Sequence, residues 1–210
     1  MNKAKTLFTE AEMQRIEEAI RSVECCTIGE VAVVVTDSSD HYREAEVLGA
    51  VCLSCFASLL LTVPFFHASL WSFIPFCILF FFPFRILLSR VPILKMSLVG
   101  LKRKEAVVRQ GALRAFYERG LYRTRKNTGV LFFLSLLEHK VWVLADKGIY
   151  EKIDQETLNR FARAVSQGIK EGRACDALCQ AIKDAGEILA KHFPLTPGDT
   201  NELSDRVMTQ

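Results

Sequence analysis

The fold class that this 210-residue sequence predicts is a small three-layer α/β domain interrupted by a transmembrane helical hairpin. Three observations predict it. Residues 47–84 contain no Asp, Glu, Lys or Arg, and 38 residues suit two apolar helices, since one membrane-spanning helix needs about 20. Two β-branched or apolar runs, EVAVVVT at 30–36 and TGVLFFLSLL at 128–137, flank that stretch and read as strands covered on both faces. Helical periodicity occupies most of the remaining flanks. A buried helix pair in a soluble protein is the competing reading, but a chain this short has too little interior for so long an uncharged run.

Pro64 and the residues through Ser69 divide the apolar stretch into helices expected at 46–65 and 70–88, with Trp71 placed as an interfacial aromatic. The intervening loop has no Lys or Arg. Arg43 lies before the hairpin, and Arg85, Arg90, Lys95, Lys102, Arg103 and Lys104 lie after it. Positive flanks stay in the cytoplasm, so both soluble parts are expected there and only the tip near His67 should cross, as in a multi-pass protein of the bacterial inner membrane. Arg85 would snorkel to the headgroups.

Charge is segregated. Residues 1–46 sum to −5, residues 85–126 to +10 and residues 138–210 to −2. A +10 segment directly after a membrane helix predicts contact with anionic lipid, at about 1 kcal/mol per basic side chain. Arg85, Arg90, Lys95, Lys102, Arg103 and Lys104 are the expected headgroup contacts. Nucleic acid is the other partner a basic patch can take, but no recognised nucleic-acid motif accompanies this one. The N-terminal residues lack an apolar h-region, so no cleavable signal peptide is expected.

In chain order, Thr9 and Glu12 form a capping box, with Phe8 and Met13 as its staple. Met13, Ile16, Ala19, Ile20 and Val23 continue a helix that lays one face on a core. The strand 30–36 ends at Asp37-Ser38-Ser39-Asp40-His41. At the end of a buried strand, Asp37 and Asp40 stand where α/β folds place ligands; the plainer reading is a cap for the helix that enters the membrane. A basic amphipathic helix is expected over 94–120, with Gly120 as its stop. A polar connector leads to the strand 128–137. Glu138-His139-Lys140 turns the chain, and 141–145 returns antiparallel. Asp154 caps a helix that stops near Gly172, a last helix spans 173–192, and 195–210 reads as a polar tail. The expected domain is therefore discontinuous, 1–44 with 95–194, around a hairpin insertion at 45–94.

These pieces, in this order, resemble the TPM-domain family, named after a thylakoid-lumen acid phosphatase, a photosystem II repair protein and a nematode receptor auxiliary subunit. The matching stretches are the capped first helix from Phe8, Ile28-Gly29-Glu30-Val31, Asn127-Thr128-Gly129-Val130-Leu131, Glu138-His139-Lys140-Val141, Ala145-Asp146-Lys147-Gly148-Ile149 and the final helix from Gly172-Arg173. The chain looks like the bacterial branch that carries a membrane hairpin and ends in a tail like residues 201–206. Family members with phosphatase activity or bound calcium use acidic residues at strand ends. Many have Asp before the glycine of the second strand, where this chain has Thr128. Asp37 and Asp146 are the remaining candidates for a Ca2+ or Mg2+ site.

No other catalytic signature is present: no Gly-rich phosphate loop, no G-x-S-x-G and no H-E-x-x-H. His41, His139 and His192 are scattered. Seven cysteines form no disulfide framework, because three lie in the apolar run and the flanks face a reducing compartment. Cys52 and Cys55 in lipid, and Cys175 and Cys179 on a helix, read as packing residues, and zinc is not expected. Two functions follow from different classes. One is a membrane-anchored module that binds a membrane-protein partner; the other is a divalent-cation-dependent phosphomonoesterase using Asp37 and Asp146.

Overall fold

The computed structural model describes residues 4–66, 70–124, 126–195 and 207–209. The hairpin tip at His67–Ser69 and the tail motif at 201–206 lie outside the described residues. The chain divides into two compact units, Met1–Ser39 with Glu105–Gln210, and Asp40–Lys104.

The first unit is a mixed sheet between helical layers. Its strands are β1 (Glu30–Thr36), β2 (Gly129–Ser135), β3 (Lys140–Ala145) and β4 (Met208–Thr209), in the spatial order β3-β2-β1-β4. β1 and β2 are parallel from Glu30↔Gly129 to Thr36↔Ser135, and β3 is antiparallel to β2 from Val130↔Ala145 to Ser135↔Lys140. Every residue of β1 and β2 is buried, as their uninterrupted apolar composition requires.

Alternation sends the side chains to two cores. Val31, Val33, Val35, Val130, Phe132, Leu134, Val141 and Val143 meet Ile16, Ile20, Leu158, Phe161, Val165, Leu178 and Ile182. Those residues come from α1 (Glu10–Glu24), α7 (Gln155–Lys170) and α8 (Ala174–His192). On the other face Ala32, Val34, Leu131 and Phe133 meet Val108, Ala112, Ala115 and Phe116 of α5 (Leu101–Glu118). That is the expected three-layer arrangement.

Local chemistry sets the helix ends. The Thr9 hydroxyl accepts from the Glu12 amide while the Glu12 carboxylate accepts from the Thr9 N–H, so the capping box is complete. That backbone bond comes first among the causes that hold the Glu12 carboxyl below the usual range. Asp154 caps α7 by accepting from the Thr157 N–H, and its pKa is lowered first by the Thr157 hydroxyl and then by that N–H. Gly120 and Gly172 take positive φ after α5 and α7, the left-handed conformation that ends helices.

Three boundaries differ from the sequence reading. The helix expected over 94–120 is two helices, α4 (Pro92–Leu98) and α5, because Val99 is extended and Gly100 follows it. A one-turn helix, α6 (Lys147–Tyr150), follows β3 and is capped by Asp146. The tail adds a strand: Met208 and Thr209 pair in parallel with Val34 and Val35, covering an edge that the chain order left open. A two-residue strand carries too little periodicity to be read from sequence.

The second unit contains α2 (Arg43–Phe66), α3 (Leu70–Arg90) and α4. α2 and α3 are long and apolar enough to cross a membrane; at 1.5 Å per residue each spans about 30 Å or more. They pack as a hairpin, with the Cys77 and Cys55 sulfurs 3.3 Å apart. Much of their apolar surface faces outward: Phe56 is 63% exposed and Trp71 87%. Ser54, Ser58 and Thr62 donate to the carbonyls of Val51, Ser54 and Ser58 in their own helix, so these hydroxyls are satisfied without water. Lys95 of α4 donates to the Glu46 carboxylate and the His41 carbonyl, both at 2.8 Å, and is 8% exposed.

Two predictions follow from this packing. Glycine in a helix interior normally costs up to about 1 kcal/mol against alanine, yet a Cβ at Gly168 would lie 2.1 Å from that of Ala177. Gly168→Ala should therefore destabilise the protein by about 1–3 kcal/mol, read as a lower denaturation midpoint. Replacing residues 40–104 with a short Gly/Ser linker should leave a soluble domain that melts cooperatively, since a doubling of loop length changes closure entropy by only about 0.6 kcal/mol. An aggregate without a thermal transition would show that the hairpin completes the core.

Candidate functional site

The two carboxylates singled out from sequence stand at opposite ends of the sheet. Asp37 follows the last residue of β1, where its carboxylate accepts from the Ala4 N–H and its carbonyl accepts from Leu137. Asp146 follows β3, and its N–H donates to Gly129 at the first residue of β2. The pairing from Glu30↔Gly129 to Thr36↔Ser135 separates these positions by roughly 20 Å at about 3.3 Å per residue. Their common position at strand ends concealed this, because β3 runs against β1 and β2. A single cation shared by Asp37 and Asp146 is excluded by that distance.

Neither end gathers a ligand set. One Asp146 carboxylate oxygen accepts from Lys147 at 2.7 Å, and the other is enclosed with no hydrogen-bond partner among the described residues. Thr128 offers nothing further, because its hydroxyl donates to the Ile28 carbonyl at 3.0 Å. No three His, Cys, Asp or Glu side chains converge among the described residues, whereas Ca2+ takes six to eight oxygens and Mg2+ an octahedron. The described donors do not fit either ion. Burial pushes the Cys175 thiol up to about 12.

The sequence reading missed Glu138. In sequence it reads as a turn residue, but it is 5% exposed and organises the far end of the sheet. Its carboxylate accepts from the Ser39 N–H at 3.1 Å, the Ser38 hydroxyl at 3.4 Å and the Ser135 hydroxyl. The Ser39 and Ser135 hydroxyls are 2.7 Å apart. This network ties the loop after β1 to the β2–β3 turn, a positioning role for a satisfied buried charge. The serines at 38 and 39, two and three places after a buried strand, are its only trace in the sequence.

A concave feature lies along β3. α5 covers β1 and β2 on one face and α7 lies on the other, so the β3 edge opens between them. The resulting groove is ≈ 590 Å³, with Arg109 and Leu113 of α5, Lys140 and Trp142 of β3, and Asn159 and Arg163 of α7 among its walls. Trp142 is only partly buried. Among the described residues Arg109 and Lys140 have no ion-pair partner, while Arg163 pairs with Glu156. Apolar floor and cationic rim suit a ligand that carries both apolar and acidic groups.

The headgroup candidates divide. Arg85, Arg90 and Lys102 are exposed. Arg103 lies 3.3 Å from Glu44 and 3.6 Å from Asp40, and Lys104 is half-buried. Lys95 is corrected: its ammonium is held by Glu46 and His41 and does not reach outward.

A mixed sheet between helical layers, without a converged metal or nucleophile site among the described residues, defines a small α/β domain with an apolar hairpin in its chain. Residues 99–188 match the TPM domain, so the chain carries a TPM domain and the resemblance in its motifs holds. The matched segment contains α5, β3 and α7, the three walls of the groove. No curated protein matches the chain. Among solved structures, it is similar to the BA42 protein of the psychrophilic bacterium Bizionia argentinensis, with TM-score 0.61 and 19% identity over 97% of this chain and 95% of that one. That likeness is one of fold.

Stabilities test the separation of the two carboxylates. The effects of Asp37→Asn and Asp146→Asn should add in the double variant to within about 0.5 kcal/mol, as for groups more than 10 Å apart without shared partners. Chemical denaturation of the four proteins, with and without Ca2+, reads this out. A coupling of several-fold that size, present only with the cation, would restore a shared site.

Proposed function

We propose that this protein is a membrane-anchored binding module. Its two apolar helices cross the bacterial inner membrane, its TPM domain faces the cytoplasm, and the groove beside β3 holds a protein partner. The groove carries the reading: within the segment matched to the TPM domain, it combines an open strand edge, an exposed apolar floor and unpaired cations. The orientation follows from the charges. Residues 47–84 carry none, and Arg85, Arg90 and Lys102 lie exposed just beyond, where positive residues stay inside and meet anionic headgroups.

Two measurements on the full chain in cells test this. A cysteine at Ser69 should react with an impermeant thiol reagent on intact cells, while Cys25 and Cys26, exposed on the domain surface, stay unlabelled until the cells are opened. A photo-crosslinking amino acid at Trp142 or Asn159 should give a discrete adduct that one at Lys183, on the exposed face of α8, does not. Labelling of Cys25 on intact cells would overturn the orientation. Equal adducts at all three positions, or none at the groove, would overturn the binding role.

A further inference from the structure

The geometry points to strand addition at the β3 edge: the groove takes an extended peptide segment of a protein partner, with apolar side chains on one face and carboxylates on the other. This rests on the binding role proposed above and names the class of ligand.

The first observation is the direction of the backbone groups. β3 is the last strand of its sheet on that side, with β2 its neighbour. Asp146 donates its N–H to Gly129, so Asp146 faces β2. In an antiparallel ladder the inward and outward residues alternate. Leu144, Trp142 and Lys140 therefore face β2 as well, and the N–H and C=O groups of Val141, Val143 and Ala145 point away from it. Val141 and Val143 line the groove although their side chains are buried in the core; their backbone is what an incoming strand would meet. Two residues facing outward offer two donors and two acceptors at the spacing a strand requires.

The second observation is how the two edges of the sheet differ. The β1 edge is covered by the chain's own β4. Exposed edges recruit other strands unless they are short, charged or covered. The β3 edge spans six residues and opens on a hollow flanked by helices. A flanking pair of helices admits a single strand and obstructs a second sheet.

The third observation is charge. Arg109, Lys140 and Arg163 line the groove against one carboxylate, Glu105, and the smaller hollow that shares Lys140 and Ser166 adds Lys170. An extended peptide alternates its side chains with period two. One set would pack on Trp142 and Leu113, beside Arg109 on α5, and the other would bring carboxylates to Arg163 and Lys170 on α7. The opposite charge pattern would be repelled, which supplies specificity.

The test uses the full chain in lipid nanodiscs, with Trp71→Phe so that Trp142 is the sole tryptophan. The probe is a synthetic heptapeptide of alternating valine and glutamate. Two further versions are methylated on alternate backbone nitrogens, one on the odd residues and one on the even. The parent peptide should bind saturably and shift the Trp142 emission. One methylated version should bind like the parent, and the other should lose at least tenfold, because only its amides face β3. Arg109→Glu with Arg163→Glu, both on exposed positions, should weaken the glutamate peptide at least tenfold and strengthen its lysine counterpart. Equal binding of both methylated versions would overturn strand addition. So would a protein dimer through the β3 edge that the peptide cannot displace, which would assign the edge to a second copy. Groove-specific cross-links that persist beside either result would leave the binding role standing and remove only this mode of it.

Discussion

Parallel pairing of β1 with β2 is the constraint on which the rest of the first unit depends. The two strands lie some 90 residues apart in sequence, yet they pair in full register from Glu30↔Gly129 to Thr36↔Ser135. A parallel pair cannot be joined by a tight turn, and it must be covered on both faces because neither strand has a polar side. Coverage on one side comes from α1, α7 and α8, and on the other from α5. The helices thus connect that pair or cover it, while β3 and β4 extend the sheet at its two edges. The long connection is where α2 and α3 are accommodated.

The unevenness of the coverage generates the groove. α5 packs on Ala32, Val34, Leu131 and Phe133, the inner two strands, and leaves Trp142 and Leu144 at the margin of that core. α7 packs on the opposite face through Leu158, Phe161 and Val165. An edge strand held between two helices that do not meet over it leaves a cleft. The apolar floor of the groove and its open backbone therefore share one cause. A Cβ at Gly129 would sit 2.8 Å from the Leu121 carbonyl, so the entry to β2 admits no side chain.

Each unit holds a buried ionisable side chain that is satisfied by local partners. Lys95 and Glu46 form a 2.8 Å ion pair with side chains only 10% and 18% exposed, and the His41 carbonyl takes a second ammonium proton. Removing one partner of such a pair leaves a buried charge uncompensated, which costs far more than an exposed pair contributes. Glu138 shows the same logic with hydroxyls and an amide in place of a cation. Both residues looked like surface groups in the sequence, because residue type alone says nothing about what lies across from it.

The sequence by itself determined whatever depends on local chemistry or on period. The capping box at Thr9 and Glu12, the cap at Asp154, the left-handed stops at Gly120 and Gly172, the buried character of β1 and β2 and the two apolar helices are all of this kind. Their causes lie within a few residues of each other, so the pattern is visible along the chain. The TPM resemblance was legible for the same reason, as a series of short motifs in order. What only the tertiary structure decided depends on which strand lies beside which and in what direction. The antiparallel return of β3 sends Asp146 roughly 20 Å from Asp37. The pairing of Met208 and Thr209 with β1 turns the tail into an edge, the pairing of Lys95 with Glu46 holds its ammonium inside the second unit, and the lateral offset of α5 from β3 opens the groove. Each is a relation between residues distant in sequence, fixed by packing and register, for which no single stretch of chain carries a signal.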